Sequence, residues 1–141
     1  MKINKFLYYF LNLTWGIVLT LFGTVVSFFL IVTGHKPKRF GGCWYFNIGD
    51  NWGGLEMGLF FITDKQDDYR LKCHEYGHSI QNCIWGPLCI FVITIPSTIR
   101  YWVLRIRTKM GKENPDYDSI WFEGQATKWG MKTEEQWRTK Q

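Results

Sequence analysis

Charge is missing from one long stretch of this chain: no acidic or basic side chain occurs between Phe6 and Thr33. A helix crossing a bilayer needs about 20 such residues, so the stretch is long enough to span with tilt to spare. It is too long for the core of a signal peptide. Gly34-His35-Lys36 follows it, where a small-x-small cleavage site would be needed. The four cysteines, Cys43, Cys73, Cys83 and Cys89, include no C-x-x-C pair. Their spacing therefore marks no cysteine metal site, and Cys83 and Cys89, in or beside apolar sequence, are expected as buried free thiols. A single basic patch is also lacking. The formal charge of +5 is spread over clusters that flank apolar runs, Lys36, Lys38 and Arg39 after the first and Arg100, Arg105, Arg107, Lys109 and Lys112 after the second. This distribution argues against nucleic acid and for the lipid bilayer as partner. Histidine is scarce, with three in the chain. His35, in the basic stretch, is expected at an interface.

The other two histidines stand four apart in His74-Glu75-Tyr76-Gly77-His78, an H-E-x-x-H sequence. Side chains four apart lie above one another on a helix, so His74 and His78 can bind one metal ion together. Glu75 is placed to take a proton from the attacking water, the arrangement of a zinc hydrolase. The flanks suit a helix over 67–85. Asp67 and Asp68 are candidate N-caps, Leu71, Ile80 and Ile84 are apolar, and Gly86-Pro87 breaks the run. Gly77 costs up to about 1 kcal/mol against alanine there, which points to close packing under the metal site. Cys73 projects about 100° around the helix from His74 and is not expected as a ligand.

Residues 40–63 carry the turn signals Gly41-Gly42, Gly49-Asp50-Asn51 and Gly53-Gly54. Between them, 43–46 and Leu55 to Ile62 read as short strands of a hairpin. The strand Leu55–Ile62 precedes the histidine helix, and Leu55, Met57 and Leu59 are expected to bind an extended substrate as an added strand. Ile84 to Ile106 is a second apolar region, interrupted by Pro87, by Pro96-Ser97 and by Arg100 and Arg105. It reads as a re-entrant hairpin, or as one transmembrane helix kinked at Pro96. Beyond Lys112, a helix over Tyr117–Trp129 is expected to end at Gly130. A second then starts at Thr133, with Gln136 in the capping-box position.

A catalytic zinc needs three protein ligands and one open position. The extended metzincin motif would require His at 84 and Gly at 81, where this chain has Ile84 and Gln81. A carboxylate from a later helix remains, and Glu123 is the best placed, on a face with Ile120, Trp121 and Ala126. A lone buried carboxylate is costly unless it meets a cation. Asp116 and Asp118 read as turn or cap residues and are weaker candidates.

His74-Glu75-Tyr76-Gly77-His78 fits H-E-x-G-H, and Glu123-Gly124-Gln125-Ala126-Thr127 fits E-x-x-A-D with Thr127 in place of the aspartate. Together these resemble the membrane gluzincin metallopeptidases: CAAX prenyl proteases, bacterial membrane stress proteases and β-lactam sensor proteases. The resemblance covers residues 55 to 130. It implies Zn2+ held by His74, His78 and Glu123, Glu75 as general base, and position 127 as a hydrogen-bonding support for a ligand. The Leu-Asp-Gly sequence of site-2-type proteases, which share H-E-x-G-H, is absent.

The expectation is thus a mainly α membrane protein. Residues 1–39 form one transmembrane anchor, and 40–141 a minimal metallopeptidase domain. That domain comprises a hairpin at 40–63, the active-site helix 67–85, a membrane hairpin at 86–107 and C-terminal ligand-bearing helices at 115–140. For Glu123 to join the histidines, residues 84–107 must enter the membrane and return, because one crossing separates the sites by about 30 Å. The expected activity is hydrolysis of peptides or membrane-protein segments near the bilayer, at the cytoplasmic face of a bacterial plasma membrane. Lys2 and Lys5 also favour a cytoplasmic N-terminus. The rival is a non-catalytic adaptor whose histidines are structural, or bind metal without turnover.

Overall fold

The computed structural model describes residues 3–139; Lys2 and the last residue of the 115–140 segment lie outside this range. Five α-helices, a four-stranded sheet and short 3-10 and π turns make up the described chain. The uncharged stretch does not form one helix. It folds as α1 (Lys5–Leu13) and α2 (Ile17–Val32), bent by 84° at the intervening residues. The cause is a polar residue inside the apolar run. Asn12 is fully buried and accepts a bond from the Asn82 amide at 2.8 Å. That amide also donates to Gly16 O at 2.9 Å, and Trp15 Nε1 donates to Ile84 O at 3.1 Å. A Cβ on Gly16 would strike Asn82, so glycine lets the elbow close. Among the described residues, no single helix is long and apolar enough to cross a membrane; two bent pairs reach that length and composition together.

Residues 38–63 hold more than a hairpin. The strands β1 (Lys38–Phe40), β2 (Cys43–Asn47), β3 (Gly54–Met57) and β4 (Phe60–Thr63) form a sheet in the order β1-β2-β4-β3. β2 and β4 are parallel; the outer pairs are antiparallel. The expected strand Leu55–Ile62 is itself folded in two. Met57 pairs with Phe60 across a two-residue turn at Gly58 (φ +71°), a left-handed position that glycine occupies without strain. β3 is therefore a sheet edge.

The centre of the molecule is α3 (Tyr69–Trp85), capped by Asp68, whose carboxylate accepts from Leu71 N at 2.8 Å. Every residue from Cys73 to Cys83 is buried. One side contributes Tyr76 to a core cluster with Tyr8, Phe61 and Trp137. The opposite side meets α5 (Trp121–Arg138), one continuous helix rather than the two expected. Gly130 does not stop it. A Cβ there would lie 1.7 Å from Cys73 O, and one on Gly77 would lie 1.8 Å from Ala126 O. Both glycines let the α3 and α5 backbones touch. Thr133 is buried within α5 and caps nothing.

At Gly86 (φ +51°) the chain leaves α3 through a 3-10 turn, Gly86–Leu88. It returns as a π turn, Ile90–Thr94, continuous with α4 (Ile95–Lys109), after a bend of 118°. The expected hairpin within 86–107 is thus replaced by one made of α3 and α4. Pro96 does not break α4; it lies in the first turn, where its missing N–H is tolerated, and the π turn takes up the irregularity. The chain thus turns back between His78 and Glu123, with α3 itself as the outward leg.

Candidate metal centre

The α3–α5 contact decides the site. Because the helices touch at Gly77 and Gly130, Glu123 in the first turn of α5 reaches the two histidines of α3. His74 Nε2 lies 3.0 Å from Glu123 Oε2, His78 Nε2 lies 3.1 Å from the same oxygen, and the two Nε2 atoms are 3.0 Å apart. Three ligand atoms converge on one point, so the cluster can hold a metal ion. Glu123 is completely buried, and its second oxygen, Oε1, has no partner among the described residues. An orphaned carboxylate oxygen beside two imidazoles is unfavourable without a cation.

Each histidine is fixed from behind. His78 Nδ1 donates to Gln81 Oε1 at 2.7 Å, and Gln81 Nε2 donates to Phe122 O at 2.8 Å. His74 Nδ1 donates to Thr127 Oγ1 at 2.8 Å, and that hydroxyl donates to Asp118 Oδ1 at 3.0 Å. Both Nδ1 atoms thereby carry the proton, leaving both Nε2 lone pairs for a metal. Thr127 thus links His74 to Asp118, which lies one hydroxyl further out. Arg70 holds that carboxylate at 2.6 Å.

Electrostatics match this picture. Burial opposes ionisation of Glu123, yet its bonds to His74 and His78 hold it well below the usual carboxylate range. Burial opposes protonation of His78, but Glu123 and the charges of Glu75 and Glu56 raise its proton affinity above normal. A proton thus bridges the pair when no cation does. Glu75 is raised to about 8, by burial first, with the His78 charge opposing and the Glu56 charge adding. Its carboxyl rests against Gly54 of edge strand β3, where a Cβ would meet Glu75 Oε1 at 2.5 Å. Burial also raises Glu56, on the same strand, to about 7.

Two cavities flank the cluster. The larger, about 590 Å³, is bordered by Gly54 and Leu55 of β3, by His74, Glu75 and His78, and by α4. The smaller, about 400 Å³, shares Gly54, His74 and Glu75 and extends to Asp68, Arg70 and Asp118. Of the three residues expected to bind substrate, Leu55 lines the larger cavity. Met57 is buried and Leu59 packs on the core cluster, so their side chains face the interior. The turn at Gly58 is the reason, since it reverses the chain before Leu59. His35 bonds Thr33 Oγ1 at 3.1 Å through Nδ1 and is remote from the cluster. All four cysteines are buried free thiols.

Sequence reasoning missed Gln81 and Glu56, and it weighed Asp118 only as a weaker ligand, not as the support of Thr127. Gln81 lies three residues beyond His78, on the same helical face, which was a readable signal. Asp118 had only its turn-like setting, and Glu56 only its place between the apolar Leu55 and Met57. No family model, curated protein or solved structure matches this chain.

Proposed function

We propose that this chain is a membrane-anchored zinc endopeptidase of the kind its H-E-x-G-H and E-x-x-A-T motifs resemble, the membrane gluzincins. One observation carries the reading. Two imidazole nitrogens and a carboxylate oxygen form a triangle with edges of 3.0, 3.0 and 3.1 Å, and Glu75 faces the cavity beside it. Ligand atoms about 3.3 Å apart are what bonds of about 2.0–2.1 Å at tetrahedral angles require, so the triangle is close to the size for zinc.

Bound there, zinc would polarise a scissile carbonyl and lower the pKa of a water to about 7. Glu75 takes the proton of the attacking water and passes it to the leaving amine, a role that its raised proton affinity suits. The free edge of β3 offers backbone groups to an extended substrate, and Leu55 offers an apolar side chain. Peptides or membrane-protein segments are the substrate class. Bilayer association is supported by large apolar side chains on the outside of α2, with Leu21, Phe22, Val25, Phe28, Phe29 and Val32 between 54% and 68% exposed. The basic clusters beside the apolar elements support a catalytic face on the cytoplasmic side of a bacterial plasma membrane.

The test is the metal content of the detergent-purified protein, by mass spectrometry, for wild type and Glu123→Ala. About one zinc per chain, largely lost in the variant, is expected for a three-ligand catalytic site. Glu75→Gln should keep the zinc and lose at least about a hundredfold in peptide hydrolysis. No zinc in wild type after reconstitution would end the enzyme reading in favour of the non-catalytic adaptor, as would full activity in Glu75→Gln.

A further inference from the structure

The wall of the larger cavity opposite β3 is α4, and its charges are sorted by face. Arg100 donates to Tyr117 O at 3.0 Å and to Asp116 O at 2.8 Å. Arg107 donates to Glu113 O at 2.7 Å. These two arginines are committed to holding the segment that leads into α5. Arg105 and Lys109 instead line the cavity, and neither joins an ion pair among the described residues. Arg105 donates through Nη1 to Tyr101 OH at 2.5 Å, which steadies the guanidinium and leaves its other N–H groups for a ligand. The only acids lining this cavity are Glu56 and Glu75, both at the metal end, where both act on His78. The cavity is therefore acidic at the cluster and basic at its far end, with Ile93 and Trp102 in its apolar lining.

We infer that Arg105 and Lys109 form a subsite selecting peptides with a carboxylate about four or five residues from the scissile bond. The inference rests on the peptidase reading above. The register follows from helix geometry. Ser97 stands beside Tyr117 and Glu123 at the metal end. Arg105 and Lys109 lie about 12 and 18 Å further along the axis at 1.5 Å per residue, or about four and five residues of extended chain. A lipid headgroup is the less fitting anion. The exposed apolar side chains of α4, Ile95, Ile99, Trp102, Val103 and Ile106, are centred about 80° around the helix from the two cations. The face suited to a bilayer is thus not the face that carries the free charge. The carboxylate can come from an Asp or Glu side chain or from the end of a peptide.

The test uses the full-length, zinc-loaded, detergent-solubilised Glu75→Gln protein, so that binding is read without turnover. Fluorescein-labelled apolar peptides, amidated at the C-terminus, carry Glu or Lys at each position in turn. A parallel set carries Gln there and ends in a free acid at varied length. Fluorescence anisotropy should show the Glu peptide bound about tenfold tighter than its Lys twin over a short run of positions. The order should invert in Arg105→Glu/Lys109→Glu, checked as folded by its zinc content. Preference in the amidated set assigns the source to side chains; preference only in the second set assigns it to the C-terminus. Equal binding of Glu and Lys twins, or no peptide binding at all, overturns the subsite. So does an unchanged order in the charge-reversed variant, and if that variant also loses affinity for phosphatidylglycerol vesicles, the pair belongs to the membrane. Cleavage by wild type without the preference removes the subsite and leaves the peptidase. The preference without cleavage does the opposite.

Discussion

The residue that most changes the reading of the motifs is Asp118. Thr127 stands where the resembling family has a carboxylate, which would leave His74 without an anionic support. The hydroxyl instead passes the bond to Asp118, so the support survives at one remove. Asp118→Asn and Thr127→Val should each weaken zinc binding by about 10- to 100-fold, measured by competition with a chelator, while Thr127→Ser should stay near wild type. Gln81→Ala should do the same through His78. Retained affinity in all three would mean that the helix contact alone orients the imidazoles. The titrating groups also predict how the metal-free protein responds to pH. Burial raises Glu75 from 4.5 to about 8 and Glu56 from 4.5 to about 7, and His78 is also raised above its ordinary value. A group whose folded pKa is raised contributes stability that is complete below its unfolded pKa and is lost as pH rises through the folded one. Glu123, lowered, has the opposite sign and loses its contribution only as acid is added below the ordinary carboxylate range. The chelated protein should therefore melt at its highest temperature near pH 4.5 and lose stability as pH rises from about 4.5 to 9, a loss that His74, held below its ordinary 6.5 by burial, offsets only in part on the acid side. Zinc should restore most where that loss is greatest, because deprotonated His78 is the ligand form. Thermal scans with and without chelator across that range would expose a flat profile, which would refute the coupling.

At the scale of elements, legibility was uneven for physical reasons. The α3 boundaries could be read because Asp68 and Gly86 are local signals, one bonding the first turn and the other adopting a positive φ. The three-ligand cluster could be read because the i, i+4 histidines and a mid-helix glutamate each made sense on one face. The elbow at 14–16 could not, because the partner that buries Asn12 there is Asn82, some 70 residues away. Gly130 was misread for a similar reason. A glycine that ends a helix and one that lets a second backbone approach look alike in sequence, and only the position of Cys73 O separates them. Gly77→Ala and Gly130→Ala should each cost about 1–3 kcal/mol or more by overpacking. Zinc affinity should fall with stability, because the same contact brings Glu123 to the histidines. A variant that loses stability while binding zinc normally would separate the contact from the site.

For the whole molecule, the split of the uncharged stretch into two helices at 84° changes what membrane association means. α1 is tied to the core through Tyr8, which is fully buried and bonds Ser79 at 2.5 Å and Cys43 at 3.0 Å. The apolar exterior is made by α2, the outer face of α4 and the other face of α1, where Phe6, Phe10 and Leu13 are exposed. The protein should sediment with membranes after alkaline carbonate and require detergent for release, since so much apolar surface is exposed. Release by salt alone would mean that the basic clusters, not the apolar faces, make the attachment.

The absence of disulfides gives the cluster one more role. Its ligands lie at sequence positions 45 residues apart, His78 on α3 and Glu123 on α5, and all four thiols are free. An ion held by both helices would act as a cross-link closing that loop. A covalent closure of this length would restrict the unfolded chain by about 4 kcal/mol at 25 °C. Chelation would then act as reduction does on a disulfide-stapled domain, loosening the clasp that keeps the C-terminal helix against the rest.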